Sequence, residues 1–193
     1  MDTNLPKELN QIYSEEKVYL AVLSMAGEIQ SKIEEGQSPC FIMVLKGGVW
    51  VGMAMLEYIV ELNIPYGFIG LNRYFGRETT PSPLGPSVTY KPVFEDDFLR
   101  DKDVWLIDDV VQEGRTLAKA SYLIQQLSPR SIHCCVLVDK REESKLSSDS
   151  LPIDIVGFKY EGKKFLVGCG MGLGEQYRNL PYICEYLEKG GIK

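Results

Sequence analysis

The sequence predicts an α/β fold with a doubly wound, mainly parallel sheet, and three observations lead there. Short, unbroken apolar runs such as residues 40–45 and 104–107 have the length of strands buried on both faces. Segments with helical spacing alternate with them, the pattern of strand–helix–strand units. Glycines and acids cluster where the apolar runs end, and in such sheets ligands sit beyond the carboxyl ends of the strands.

The elements follow in order. Residues 14–35 read as a helix, because Val18, Leu20, Ala21, Leu23, Met25 and Ile29 recur at roughly helical spacing among charges, with Gly36 as a stop. Residues 40–45 form a strand closed by Lys46-Gly47-Gly48, a helical pattern runs from 49 to about 62, and a second strand covers 66–71. Residues 72–103 hold Gly76, Pro81, Pro83, Gly85, Pro86 and Pro92 and show no helical period. A loop or hairpin excursion of that length implies function, such as a lid. Its acids, Glu95-Asp96-Asp97 with Asp101 and Asp103 beyond, read as solvated surface. Order resumes with the strand 104–107, ending in Asp108-Asp109, and a helix 116–127 punctuated by Pro129. Further strands are expected at 132–138, 153–158 and 165–167, and a last helix at about 175–187.

The whole-chain figures fit one sizeable domain spanning 1–193. A net charge of −6 argues against a broad grip on nucleic acid or an anionic membrane. No apolar run approaches the roughly 20 residues that cross a bilayer, and the first residues lack a secretory signal's basic start and apolar stretch. The five cysteines form no CxxC and mostly lie inside apolar runs, as expected of small buried hydrophobes in a reducing cytoplasm. His133, the single histidine, leaves no multi-histidine metal site and reads as structural.

The strongest chemical signal is Asp108-Asp109-Val110-Val111-Gln112-Glu113-Gly114-Arg115-Thr116, an apolar strand opening through two acids and a short glycine-bearing loop into a helix. Backbone N–H groups of such a loop, backed by the helix's positive end, cradle an anion. Arg115 adds charge and the Thr116 hydroxyl can donate to a phosphate oxygen. The paired acids can accept from a diol or hold Mg²⁺, directly or through water. Together these describe a site for ribose-5-phosphate; on spacing alone, an acid-capped strand-to-helix turn stands beside it.

This segment resembles the loop of type I phosphoribosyltransferases that binds 5-phosphoribosyl-1-diphosphate (PRPP). Four more segments, in the same order, resemble the hypoxanthine-guanine branch: Val44-Leu45-Lys46-Gly47-Gly48, Val138-Asp139-Lys140, Lys164-Phe165-Leu166-Val167-Gly168 following Val156-Gly157-Phe158, and Glu175-Gln176-Tyr177-Arg178-Asn179-Leu180. The resemblance implies the type I phosphoribosyltransferase fold, with a mobile lid at about 72–103 and a C-terminal hood segment at about 153–193. It implies that Asp108 and Asp109 hold the ribose hydroxyls, directly or through Mg²⁺, and that residues 113–116, with Gly114, Arg115 and Thr116, take the 5-phosphate. Lys46, Gly47 and Arg178 would meet diphosphate, Lys140 would donate to a 6-oxo group, Phe165 would stack on the base, and the Leu166 backbone would read the purine edge. Arg73-Tyr74 stands where a Ser-Tyr pair is usual in the lid, Tyr74 keeping the aromatic hydroxyl.

Three positions depart from the family. Gln112 replaces the aspartate assigned as base for purine N7, and an amide cannot take a proton at neutral pH. Glu113 replaces a small hydroxyl residue of the phosphate loop, and is expected to turn outward or pair with Arg115. Gly172 replaces a late aspartate. Either Glu113 serves as the base instead, or a more acidic purine such as xanthine needs less help. The expected function is a purine salvage phosphoribosyltransferase, with PRPP and hypoxanthine, guanine or xanthine as substrates, Mg²⁺ as cofactor, and a cytoplasmic homodimer or homotetramer as its form. The alternatives are a non-catalytic PRPP- or nucleotide-binding regulator of the same fold and a pyrimidine phosphoribosyltransferase.

Overall fold

The computed structural model describes residues 5–33, 36–59, 63–72, 87–88, 97–142, 146 and 150–187. The elements are β1 (Leu9–Tyr13), α1 (Glu15–Lys32), β2 (Pro39–Leu45), α2 (Gly48–Leu56), β3 (Tyr66–Asn72), β4 (Ser87–Val88), β5 (Asp103–Val111), α3 (Arg115–Gln125), β6 (Ser131–Asp139), β7 (Ile155–Lys159), β8 (Phe165–Val167) and β9 (Ile183–Tyr186). Six strands form the main sheet in the order β4-β3-β2-β5-β6-β7. β3, β2, β5, β6 and β7 are mutually parallel, and β4 pairs antiparallel with β3 at the edge.

The central strands hold continuous apolar runs because both faces are covered. Phe41, Met43, Trp105, Ile107, Cys135 and Leu137 point to the face packed by α1 and α2. The alternate residues Cys40, Ile42, Val44, Leu106, Cys134 and Val136 meet α3 on the other face. Since side chains alternate along a strand, a continuous apolar run is what two covered faces require. The chain builds outward from β2 to β3 through α2, then returns to β5 and builds the other way through α3, so the strand order reverses between β2 and β5. Loops leaving two adjacent strands at such a point diverge and open a crevice. The loops after β2, β5 and β6 therefore converge at one sheet edge.

A second, three-stranded antiparallel sheet, β1-β9-β8, pairs residues 9–13 and 165–167 with 183–186. It corrects the expected helix at 175–187. Pro181 removes an N–H and disfavours helical backbone at Leu180, Tyr177 has φ 68, and Ile183 and Cys184 are fully buried in strand pairing. Asp103 is a second correction. It is buried, accepting from the Ser38 N–H at 2.9 Å, the Ser131 hydroxyl at 2.9 Å and Arg130 Nη2 at 2.5 Å. Burial alone would raise its pKa, but these donors, Arg130 foremost, hold it below the ordinary carboxylate value. His133 stacks on Trp105 with ring centroids 4.8 Å apart and lies 3.5 Å from the Asp154 carboxylate. All five cysteines are free and buried. Among the described residues, no helix is long and apolar enough to cross a membrane.

Candidate active site

The acid pair lies near the end of β5, just before Val110 and the buried Val111. Asp108 is buried and Asp109 half-buried. Asp108 Oδ1 accepts from the Asp109 N–H at 2.9 Å, and Asp109 Oδ1 from the Val110 N–H at 2.8 Å. Burial pushes Asp108 well above the ordinary carboxylate range, and the Asp109 charge and its side-chain hydrogen bond push it further. Asp109 is also raised by burial, while its hydrogen bonds with Asp108 and Val110 and the Arg178 charge pull it back. Two carboxylates so placed favour sharing a proton or binding a cation.

Five residues on, Gly114 sits at φ 75 as the residue that caps α3, and there a left-handed backbone favours glycine. It turns the chain so that the first N–H groups of α3, which have no partner within the helix, face the loop. Arg115 Nε pairs with Glu113 Oε2 at 3.0 Å, so the carboxylate of Glu113 is neutralised by its neighbour. Gln112 and Glu113 are both exposed and Thr116 is half-buried at the helix start. The loop is tied to the next strand by Lys140 N–H donating to Val111 O at 2.8 Å.

The loop after β2 closes on the acids from the side. A Cβ at Gly47 would lie 1.7 Å from Asp109 Oδ2, so only a glycine permits this approach. A Cβ at Gly170 would lie 2.3 Å from Gly47 O, which layers the 170–178 segment on the same loop. Arg178 spans that segment, donating from Nη1 to Gly170 O at 2.7 Å and from Nη2 to Gly174 O at 2.9 Å. Its Nε is buried with no hydrogen-bond partner among the described residues. Lys46 Nζ pairs with both oxygens of Glu175, at 2.8 and 2.9 Å, and Glu175 also lies 3.9 Å from Arg178 Nε. Lys46, Gly47, Asp109 and Arg178 are thus one cluster.

Lys140, Phe165 and Leu166 form its counterpart. Lys140 Nζ donates to Lys164 O at 2.6 Å, next to Phe165. The Phe165 ring is 48% exposed, open for a partner, whereas Leu166 is buried and offers only backbone. A cavity of about 550 Å³ lies between the β5–α3 loop and the β7–β8 connection, lined among others by Gln112, Glu113, Arg115, Lys140, Glu161 and Lys163. Neither Asp108 nor Asp109 lines it. Tyr74 and about two thirds of the expected lid, residues 73–86 and 89–96, fall outside the described residues. Reading the residues missed Glu175, whose carboxylate occupies the cations assigned to diphosphate; its place three residues before Arg178 was the available signal.

Residues 8–170 match the family model of the phosphoribosyl transferase domain. The chain belongs to this family. It is similar to a hypoxanthine-guanine phosphoribosyltransferase of Streptococcus mutans, 30% identical and covering 95% of this chain and 94% of the relative. A hypoxanthine phosphoribosyltransferase of Buchnera aphidicola is 28% identical over 92% of this chain and 96% of its own. Among solved structures, a hypoxanthine-guanine phosphoribosyltransferase from Bacillus anthracis superposes with a TM-score of 0.76 at 27% identity, covering 91% of this chain and 95% of that one. The parallel sheet with helices on both faces is the type I phosphoribosyltransferase fold, and this family member is of the hypoxanthine-guanine kind.

Proposed function

We propose that this phosphoribosyltransferase moves the 5-phosphoribosyl group of PRPP onto a ring nitrogen of a 6-oxopurine in purine salvage, releasing diphosphate and a nucleoside 5′-monophosphate. The observation that carries this reading is the convergence of three loops at one sheet edge. The acid pair lies near the end of β5 with the Gly114 loop after it, Gly47 packs directly on Asp109, and Lys140, just after β6, lines a cavity together with Gln112, Glu113 and Arg115 of that loop.

As the C1′–oxygen bond breaks, diphosphate leaves with the electron pair and positive charge grows on the ribosyl carbon. Asp108 and Asp109 place negative charge at the ribose hydroxyls beside that carbon. Residues 113–116 fix the 5-phosphate through backbone N–H groups and the Thr116 hydroxyl. Lys46, the Gly47 backbone and Arg178, whose buried Nε makes no hydrogen bond among the described residues, are the donors for the leaving diphosphate. Lys140 donates to the 6-oxo oxygen, the exposed Phe165 ring stacks on the purine, and the Leu166 backbone reads its edge. The acid pair fits Mg²⁺, which typically takes one or two carboxylates and completes its shell with water and phosphate oxygens. Two carboxylates both raised in pKa are relieved by a divalent charge. Bound there, directly or through water, Mg²⁺ would neutralise charge on the diphosphate.

Pyrophosphate release measured with Mg²⁺, PRPP and, in turn, hypoxanthine, guanine, xanthine, adenine and uracil tests the reading. Release with 6-oxopurines alone is expected; release only with uracil would favour a pyrimidine transferase. A second reading rests on Gln112 and Glu113: the first is an amide and the second is engaged by Arg115, so the loop presents no free base. PRPP binding without release for any base would establish that non-catalytic form. Exposed Tyr19, Leu20 and Leu23 on α1 and Met53 on α2 support self-association as a dimer or tetramer, which light scattering would count. The buried free thiols support a cytoplasmic location. The chain reads as one domain, with β1-β9-β8 as the hood over the base.

A further inference from the structure

We propose that Tyr160 and Glu185 are a positioning pair that fixes Lys140 at the base pocket and thereby sets acceptance of a 6-oxo ring. The proposal rests on the reading of Lys140 given above. Neither residue lies in any motif that points to the active site.

Lys140 is anchored at its backbone beside the phosphate loop, but its side chain depends on the β7–β8 connection. Its Nζ donates to Lys164 O at 2.6 Å and lies 5.4 Å from the centre of the Tyr160 ring. Residues 160–164 carry both of those partners and lead directly into Phe165. One carboxylate holds both ends of this connection. Glu185 Oε1 accepts from the Tyr160 hydroxyl at 2.6 Å, and Oε2 accepts from Lys164 Nζ at 3.1 Å and from Asn10 Nδ2 at 3.0 Å. Tyr160 N–H donates to Asp139 O at 2.9 Å, which ties the start of the connection to the strand that delivers Lys140. The loop folds tightly over the Tyr160 ring, for a Cβ at Gly162 would lie 2.2 Å from its hydroxyl. Glu185 thus sets where Lys164 O, the Tyr160 ring and Phe165 stand, and with them where the ammonium of Lys140 points.

The chemistry follows from donor count. An ammonium offers three donors and no acceptor, so a held Lys140 suits an exocyclic 6-oxo oxygen and mismatches a 6-amino group. A site built around a hydrogen bond rejects the analogue that cannot make it, whereas a free side chain discriminates less. Glu185 also acts through charge. The groups around Lys140 are Glu113 and Arg115 from the phosphate loop, Arg141 and Glu142 after β6, Tyr160, Glu161, Lys163 and Lys164 from the β7–β8 connection, and Glu185 from β9. Burial lowers the Lys140 pKa, and Glu185 is the neighbour that favours its charged form. The Tyr160 hydroxyl, pushed up to about 12 by burial first and Glu185 second, stays a donor throughout the working range.

The test compares full-length wild type, Tyr160→Phe, Glu185→Gln and Lys140→Met, measuring kcat/KM for hypoxanthine and adenine with PRPP and Mg²⁺ from pH 6 to 10. Both pair variants should raise the hypoxanthine KM roughly 10-fold, as loss of a charge-assisted hydrogen bond does, and narrow the hypoxanthine-to-adenine ratio. In Glu185→Gln the alkaline limb should also move to lower pH, because the anion that keeps Lys140 charged is gone; a purely structural role would leave that limb in place. If Glu185→Gln fails to fold, Tyr160→Phe decides alone, and a ratio within twofold of wild type overturns the proposal. If Lys140→Met raises KM while both pair variants match wild type in ratio and limb, the pairing is wrong and the reading of Lys140 survives. If Lys140→Met leaves the hypoxanthine KM unchanged, that reading and the pairing fall together.

Discussion

Replacing Gly47 with alanine isolates the contact between the diphosphate loop and the acid pair. The backbone there is right-handed helical, φ −69 and ψ −40, a conformation alanine adopts freely, so any effect comes from the added methyl and its space. That methyl would lie 1.7 Å from Asp109 Oδ2 and 2.2 Å from Cγ, against the 3.0 Å below which such contacts are essentially never found. The carboxylate, or the loop, must therefore retreat by roughly 1.3 Å, and misplacement of about 1 Å in a catalytic constellation costs on the order of 10²-fold in rate. The same crowding costs about 1–3 kcal/mol of stability, well short of the roughly 5–15 kcal/mol that holds a domain folded. Gly47→Ala should then melt cooperatively within several degrees of wild type while losing about 10²-fold in kcat/KM for PRPP. Steady-state pyrophosphate release beside a thermal melt reads both. A folded variant within threefold of wild type would show that Asp109 does not need its present position, and the assignment of the acid pair would fail.

Glu175→Gln should tighten binding of Mg·diphosphate by about 3-fold at low salt, since Lys46 no longer has to leave a carboxylate; titration calorimetry that finds equal or weaker binding refutes the competition. Gln112→Asp should raise turnover of hypoxanthine by about 10²-fold and that of xanthine less, because a carboxylate restores general base help. No gain would mean that the proton leaves by another route. Arg130→Ala should cost roughly 1–3 kcal/mol in urea unfolding, as it strips the buried Asp103 of its charged donor. Asp103 is depressed when folded, so its contribution is present above the ordinary carboxylate pKa of about 4 and is lost as pH falls through the lowered folded value. Acid unfolding below pH ~4 should accordingly be shallower in the variant, and parallel curves would place the acid sensitivity elsewhere.

The main sheet was legible because burial on both faces leaves a one-dimensional trace: β2, β5 and β6 each hold an unbroken apolar run, 40–45, 104–107 and 134–138, followed by Lys46-Gly47, Asp108-Asp109 and Asp139. The loops proposed to bind ligand could be placed by rule once those strands were recognised. The small sheet left no such trace. Its strands have five, three and four residues and pair positions near 10 with positions near 185, so their stability comes from partners far along the chain. A helical reading of 175–187 followed from local spacing, and non-local pairing beyond Pro181 outweighed it. The same distance hid Asn10–Glu185, Lys46–Glu175 and Asp103–Arg130, each a pair that only the fold brings together.

The middle of the β5–α3 loop shows why grip and chemistry separate in this enzyme. The proposed anion cradle consists of backbone N–H groups, and the loop that carries them is shaped by the positive φ of Gly114 and by the bond from Lys140 N–H to Val111 O. Side chains at 112 and 113 can therefore change without moving the cradle. Glu113 would repel a phosphate if it faced one, but its carboxylate lies on Arg115 at 3.0 Å, so the repulsion is cancelled at the expense of Arg115's free charge. On the proposed reading, phosphate affinity then falls on the N–H groups and Thr116, whatever stands at 112. The proton from the purine has no such reserve. Gln112 can accept a hydrogen bond but not the proton, and Glu113 would have to break from Arg115 to take it. Binding of PRPP should thus be ordinary for the family while the rate responds to the acidity of the base, so that kcat for a series of 6-oxopurines rises as the ring proton becomes easier to remove.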